Sequence, residues 1–174
     1  MGKSYKDLIS SHPDFPKQGV IFREISPLLF DVEARKNIIE EFGNFMNGKN
    51  ITAIAGIDAR GFLLAGMLAE RFQLPLVMIR KKGKLPDETT FEASYELEYG
   101  VATLSMRRDI LKSDDIVFIV DDVLATGGTL QAAIELIRNC GVQSIYVGVL
   151  VELLFLKGRN KLSPIDIFST IQYD

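Results

Sequence analysis

The stretch Ile116-Val-Phe-Ile-Val-Asp-Asp-Val-Leu-Ala-Thr-Gly-Gly-Thr129 decides the reading of this chain. Residues 116–120 form a continuous β-branched and aromatic run, the pattern of a strand covered on both faces. The run leads directly into two carboxylates, Asp121 and Asp122, and then through Thr126-Gly127-Gly128-Thr129 into a segment of helical period at about 128–140, stopped by Gly141. A helix start presents unpaired N–H groups and the positive end of a dipole, paired glycines let backbone approach an anion, and threonine hydroxyls add donors. Such a loop suits a phosphate monoester, and the acid pair beside it is placed to meet hydroxyls or a hydrated Mg²⁺.

Outward from that stretch, helical and strand-like segments alternate. Residues 33–47 carry Ile38, Phe42, Phe45 and Met46 at helical spacing, residues 51–56 form a short apolar strand, 60–72 a helix, 76–79 a strand, and 144–151 another strand. The order β-α-β, insertion, β-α-β predicts a doubly wound parallel sheet with flanking helices, whose ligands bind beyond the carboxyl ends of the strands. The insertion, residues 80–115, opens with Arg80-Lys81-Lys82-Gly83-Lys84 and continues as two alternating segments around Tyr99-Gly100, which read as a hairpin lying off the main sheet.

Length and composition fit one domain over residues 1–174: 47% of residues are apolar, 25% are charged, and the net charge is −3. A single His (His12), a single Cys (Cys140) and no Trp leave no material for a zinc site or a disulfide framework. The N-terminal residues lack the apolar stretch of a secretory signal and no window of about 18 apolar residues occurs, so the expectation is a cytoplasmic protein without a membrane span. The mildly acidic balance gives no reason to expect nucleic-acid binding. Gly43–Asn50 nearly spells a P-loop, but its last position is Asn50 and it lies between helix and strand in the wrong order. Cys140 reads as an inert thiol, and nothing around His12 gives it a chemical task.

The 120–129 stretch resembles the phosphoribosyl-pyrophosphate (PRPP) motif of the type I phosphoribosyltransferases. Within that family, residues 15–29 (FPKQGVIFREISPLL), 56–66 (GIDARGFLLAG), 79–86 (IRKKGKLP), 93–100 (ASYELEYG) and 151–162 (VELLFLKGRNKL) are together similar to the adenine phosphoribosyltransferases, in the same order over nearly the whole chain. The resemblance implies the type I fold, with a base-binding hood over about 1–30 and a lid and hairpin over about 80–108. It also implies an Mg²⁺-dependent transfer of 5-phosphoribosyl from PRPP to adenine, giving AMP and pyrophosphate in purine salvage, by a homodimer. Asp121, Asp122, Ala125, Thr126, Gly127, Gly128 and Thr129 would bind the phosphoribosyl group, with Mg²⁺ held mainly by PRPP near Asp121 and Asp122. Ala59 and Arg60 would form the pyrophosphate loop, with Arg80, Lys81, Lys82 and Lys84 as mobile positive charge above it. Glu98, with Tyr99 beside it, would help proton transfer at adenine; Phe22 would stack on the ring while Ile21 and Arg23 read its edge through their backbone.

Taken alone, Asp58-Ala59-Arg60 is as readily a βα turn with a surface ion pair, the basic run a solvated loop, and Phe22 a packing residue. Gln18 stands where the family commonly has Pro, and Asp87-Glu88-Thr89 replaces the usual glycine-containing lid tip. Two alternatives remain at this level. One is a sister transferase for hypoxanthine, guanine or xanthine; the other is a PRPP-sensing regulator of the same fold.

Overall fold

Burial on both faces suits the Ile116–Leu124 run to the middle of the sheet's parallel part. In the computed structural model, which describes residues 4–15, 17–96 and 101–174, this strand pairs in parallel with Ala53–Ile57 on one side and Ser144–Leu153 on the other. In chain order the strands of the larger part are β3 (Ala53–Ile57), β4 (Leu76–Lys81), β5 (Thr90–Glu96), β6 (Val101–Arg107), β7 (Ile116–Leu124), β8 (Ser144–Leu153) and β9 (Asp166–Tyr173), after β1 (Ser10–Pro13) and β2 (Ile21–Glu24). The helices are α1 (Ser26–Phe30), α2 (Val32–Met46), α3 (Gly61–Phe72), α4 (Gly128–Asn139) and α5 (Gly158–Lys161). The seven-stranded sheet runs β5-β6-β4-β3-β7-β8-β9.

Alternation along β7 sends successive side chains to opposite faces. Val117 and Ile119 join Leu130, Ala133, Ile134 and Ile137 of α4 in one apolar cluster. Phe118 points the other way, where its ring meets Phe42 edge-on at 6.1 Å and Phe45 at 5.8 Å, both from the last turns of α2. Two glycines make room on that face. A Cβ on Gly148 would overlap the Phe118 ring and stand 2.7 Å from Phe42, and one on Gly56 would stand 2.7 Å from Ala65 of α3. The doubly wound arrangement is thus set by where the large rings are and where side chains are missing.

Two expectations change. The hairpin does not lie off the main sheet: β6 pairs antiparallel with β4 through Arg80↔Ser105 and Lys81↔Leu104, so β5 and β6 extend the sheet as its edge. The sheet is therefore mixed, five parallel strands with an antiparallel pair at one end. The chain also closes with β9, parallel to β8, which the sequence pattern leaves unassigned.

The chain divides into two compact units, Met1–Glu41 and Phe42–Asp174. In the first, β1 and β2 form an antiparallel pair with His12 opposite Phe22 and Ser11 opposite Arg23. The Asp14 carboxylate accepts the Gly19 N–H at 2.7 Å in the connecting loop. No helix among the described residues is long and apolar enough to cross a membrane.

Candidate active site

The acid pair lies inside a strand. Sequence pattern ends the strand at Val120, but the parallel ladder with β8 continues through Asp121↔Val149, Val123↔Val151 and Leu124↔Glu152, so β7 runs four residues further. Its ladder with β3 stops at Gly56↔Val120. Beyond that point the first residue of α3 takes the place of the missing strand: a Cβ on Gly61 would stand 2.9 Å from both the Val120 carbonyl and Asp121 Oδ1. The close approach of that backbone buries both acids, each only 8% exposed.

Burial first, and then the adjacent charge of Asp122, pushes the Asp121 carboxyl well above the usual carboxylate range. Its Oδ1 accepts the Asp122 N–H at 2.9 Å. A carboxyl that holds its proton more tightly in the folded than in the unfolded chain contributes stability fully below the unfolded pKa and loses it as pH rises through the folded one. Asp121→Asn keeps an acceptor for Asp122 N–H and removes the charge. At pH 8 its Tm should exceed that of the wild type, by roughly 2–4 °C for each kcal/mol relieved. The gap should close as pH falls toward about 4, the unperturbed carboxylate range. Melting curves across that range check it, and a gap that does not change with pH rules the assignment out.

The loop after β7 is held from behind by a second backbone. Gly127 adopts φ +85° as the residue before α4, and a Cβ there would fall 2.6 Å from the Gly158 carbonyl. Reciprocally, a Cβ on Gly158 would overlap the Ala125 carbonyl and stand 2.9 Å from Gly127 N. Gly127, the residue at the cap of α4, has no side chain to offer the helix's first N–H groups, which lack an acceptor within the helix. Thr126 is exposed at the tip, and Gly128 and Thr129 are half-buried in the first turn.

The second loop follows β3. The Asp58–Ala59 peptide is cis, and Arg60 stands immediately before α3. Arg60 Nη2 pairs with Asp122 Oδ2 at 2.7 Å, which joins the two loops that sequence reading identified separately. Asp58 Oδ2 lies 3.5 Å from Arg80 Nε. Arg80 and Lys81 belong to β4, paired with β6, so they are sheet residues rather than part of a mobile loop. Lys82 is exposed and pairs with Glu92 at 2.9 Å; Lys84 is exposed in the turn beyond β4. Arg60, Arg80 and Lys82 thus each lie beside an acid, Asp122, Asp58 and Glu92 respectively.

The remaining expected residues lie elsewhere. Ile21, Phe22 and Arg23 form most of β2 in the N-terminal unit, where Phe22 meets Phe15 edge-on at 5.2 Å and Arg23 Nη1 donates to Ser11 Oγ. Glu98 and Tyr99 fall outside the described residues. Sequence reasoning missed Gly158; the only sign of it was the Lys157-Gly158-Arg159 step within the quoted 151–162 segment. Cys140 closes α4, half-buried, and burial raises its thiol pKa, which suits an unreactive thiol.

Residues 29–171 match the family described as phosphoribosyl transferase domain. The adenine phosphoribosyltransferase of Nitrosopumilus maritimus (strain SCM1) is 43% identical, covering 97% of this chain and 98% of that protein. The crystal structure of adenine phosphoribosyltransferase from Thermoanaerobacter pseudethanolicus superposes with a TM-score of 0.92 at 41% identity, over 97% of this chain and 98% of the other. That of the Saccharomyces cerevisiae enzyme, complexed with an imino-altritol bisphosphate and adenine, gives 0.89 at 33% identity over 95% of each chain.

Proposed function

The chain belongs to the adenine phosphoribosyltransferase family, and on that premise we propose that it converts adenine and PRPP to AMP and pyrophosphate with the loops at 58–60 and 125–129 as its two anion sites. The carrying observation is the Arg60–Asp122 pair at 2.7 Å, which joins a cation suited to a diphosphate to the acid pair that leads along the chain into the glycine-rich start of α4.

The loop Ala125–Thr129 takes the 5′-phosphate on backbone N–H groups and threonine hydroxyls. Asp121 and Asp122 meet the ribose hydroxyls. Arg60 moves its fork from Asp122 to the pyrophosphate, together with Ala59 N–H and the charges of Arg80, Lys81 and Lys84. The C1′–O bond then breaks with its electron pair on the pyrophosphate, the adenine N9–C1′ bond forms, and the N9 proton goes to Glu98, with Tyr99 beside it. Positive charge developing on the sugar is steadied by the ionised acid of the pair.

Among the described residues no three His, Cys, Asp or Glu side chains cluster to hold a metal. Two adjacent acids suit Mg²⁺ held chiefly by substrate oxygens, with Asp121 and Asp122 at its edge, where it would neutralise the leaving pyrophosphate. Ile21, Phe22 and Arg23 supply a ring and backbone groups of the kind that adenine's face and edge require.

A homodimer completes the proposal. Leu63, Leu76 and Met78 are exposed at 54%, 42% and 48%, and Met78 sits beside Gly56 on the α3 side of the sheet. An apolar face of this kind suits burial against a second copy, and light scattering that gives a monomer mass sinks it. A cytoplasmic location agrees with a lone Cys kept as a thiol.

The deciding assay incubates the protein with PRPP, Mg²⁺ and each purine base in turn. AMP from adenine is expected, and nucleotide formed mainly from hypoxanthine, guanine or xanthine overturns the specificity. Absence of any nucleotide, with PRPP still bound, would make the chain a sensor.

A further inference from the structure

Arg159 lies outside the 58–60 and 125–129 loops, yet it directly follows Gly158, whose backbone packs against the second of them. Its guanidinium forks onto Glu152, Nε to Oε1 at 2.9 Å and Nη2 to Oε2 at 2.5 Å, while Nη1 donates to the Ile167 carbonyl at 2.8 Å. Ser169 Oγ donates to the same Glu152 Oε2 at 2.8 Å. The Glu152 side chain is only 3% exposed. Burial alone would raise its pKa, but the hydrogen bonds from Arg159 and Ser169 outweigh that and hold it below its ordinary value.

Three connections make this cluster more than a local tie. Glu152 is the parallel partner of Leu124, the last residue of β7 before the 125–127 loop. Ile167 and Ser169 belong to β9. Arg159 directly follows Gly158, whose backbone touches Ala125 and Gly127 so closely that neither glycine has room for a Cβ. The fork therefore ties α5 to Glu152 near the end of β8 and to Ile167 near the start of β9, and Gly158, the first residue of α5, lies against the back of the loop.

We propose that the Glu152–Arg159 pair, with Ser169, is a positioning device that holds Gly158 as a rigid floor beneath the 125–129 loop and so sets its N–H groups for the 5′-phosphate. The idea rests on the reading of that loop as the 5′-phosphate site. Gly127 and Gly128 bring no side chain to the loop and Thr126 is exposed at its tip, and a preformed floor removes the ordering cost that the phosphate would otherwise meet. Arg159 touches no substrate in this scheme; its effect passes through Gly158.

Isothermal titration of the whole chain with ribose 5-phosphate and, separately, with pyrophosphate tests it. Gly158→Ala and Arg159→Ala should each weaken ribose 5-phosphate binding at least about tenfold and leave pyrophosphate within about twofold, because pyrophosphate uses the Arg60 loop. Arg159→Lys, which keeps charge but loses the fork, should restore part of the loss. Glu152→Gln keeps the shape and should give a smaller loss of the same kind, which covers the case in which Arg159→Ala does not fold. Equal weakening of both ligands, or unchanged ribose 5-phosphate affinity in variants that fold, overturns the proposal. Thr129→Val, made within the loop itself, separates the two levels: if it weakens ribose 5-phosphate while the Gly158 and Arg159 variants do not, only the positioning role falls. If Thr129→Val also changes nothing, the loop is not the 5′-phosphate site.

Discussion

Arg60→Ala should weaken PRPP binding by about 100-fold, equivalent to about 3 kcal/mol, while leaving adenine affinity within a few-fold. A lost charge-assisted contact to one phosphate is worth roughly 1.5–3 kcal/mol on its own. The structure adds a second cost. Arg60 pairs with Asp122 at 2.7 Å, and Asp122 is buried next to Asp121. Without the guanidinium, two adjacent buried acids lose their compensating charge, and any anion approaching the cleft meets that uncompensated field. The loss should therefore fall on both PRPP and pyrophosphate. It should ease as pH falls, since Asp121, whose carboxyl burial holds above the usual carboxylate range, then takes up its proton and relieves the field. Titration calorimetry with both ligands over a series of pH values from 5 to 8 is the measurement. Unaltered PRPP affinity would remove Arg60 from the pyrophosphate loop, and a loss independent of pH would separate its contact with the ligand from its hold on Asp122.

That second cost could not be read from sequence, and the reason is physical. Asp58-Ala59-Arg60 and Asp121-Asp122 are each legible as a turn with chemistry, because a strand ending in charged residues is visible in hydropathy. Their pairing is tertiary: it depends on β3 and β7 being neighbours and on the β3 ladder ending one residue before the acids begin. The same cause explains the misplaced strand end. A carboxylate in the chain signals a loop, but the partner strand β8 continues past it, and pairing overrides local polarity.

Parallel strands were legible wherever they are continuous apolar runs, as at Ile116–Val120 and Ser144–Val151. β9 was not, because Ser169, Thr170 and Gln172 dilute its pattern and one of them, Ser169, is polar for the sake of Glu152. The hairpin's existence could be seen in alternating residues, but alternation says only which face is buried. It does not say which strand lies alongside, so the β4–β6 pairing that fixes Arg80 and Lys81 in the sheet had to come from the structure. The glycines divide in the same way. Gly127 announces itself in a Gly-Gly pair before a helix, whereas Gly158 matters only because another backbone crosses it.

Glu98→Gln should lower kcat by about 100-fold and leave the KM for PRPP within about threefold. Forming the N9–C1′ bond obliges the adenine N9 proton to leave, and a carboxylate can take it whereas the isosteric amide cannot. With PRPP binding proposed for the loops at 58–60 and 125–129, in other segments of the chain, the two kinetic constants should separate. Glu98 itself is outside the described residues; the strands that flank its segment pair from Thr90↔Arg107 to Glu96↔Val101. Thr90 is buried and the Arg108 Nε beyond it donates to the Thr90 carbonyl at 2.9 Å, so the hairpin is anchored at its base. Steady-state kinetics with adenine and PRPP varied in turn check that separation: a kcat that does not change assigns the proton transfer to another group, and a loss that falls on the KM for PRPP instead makes Glu98 a binding residue.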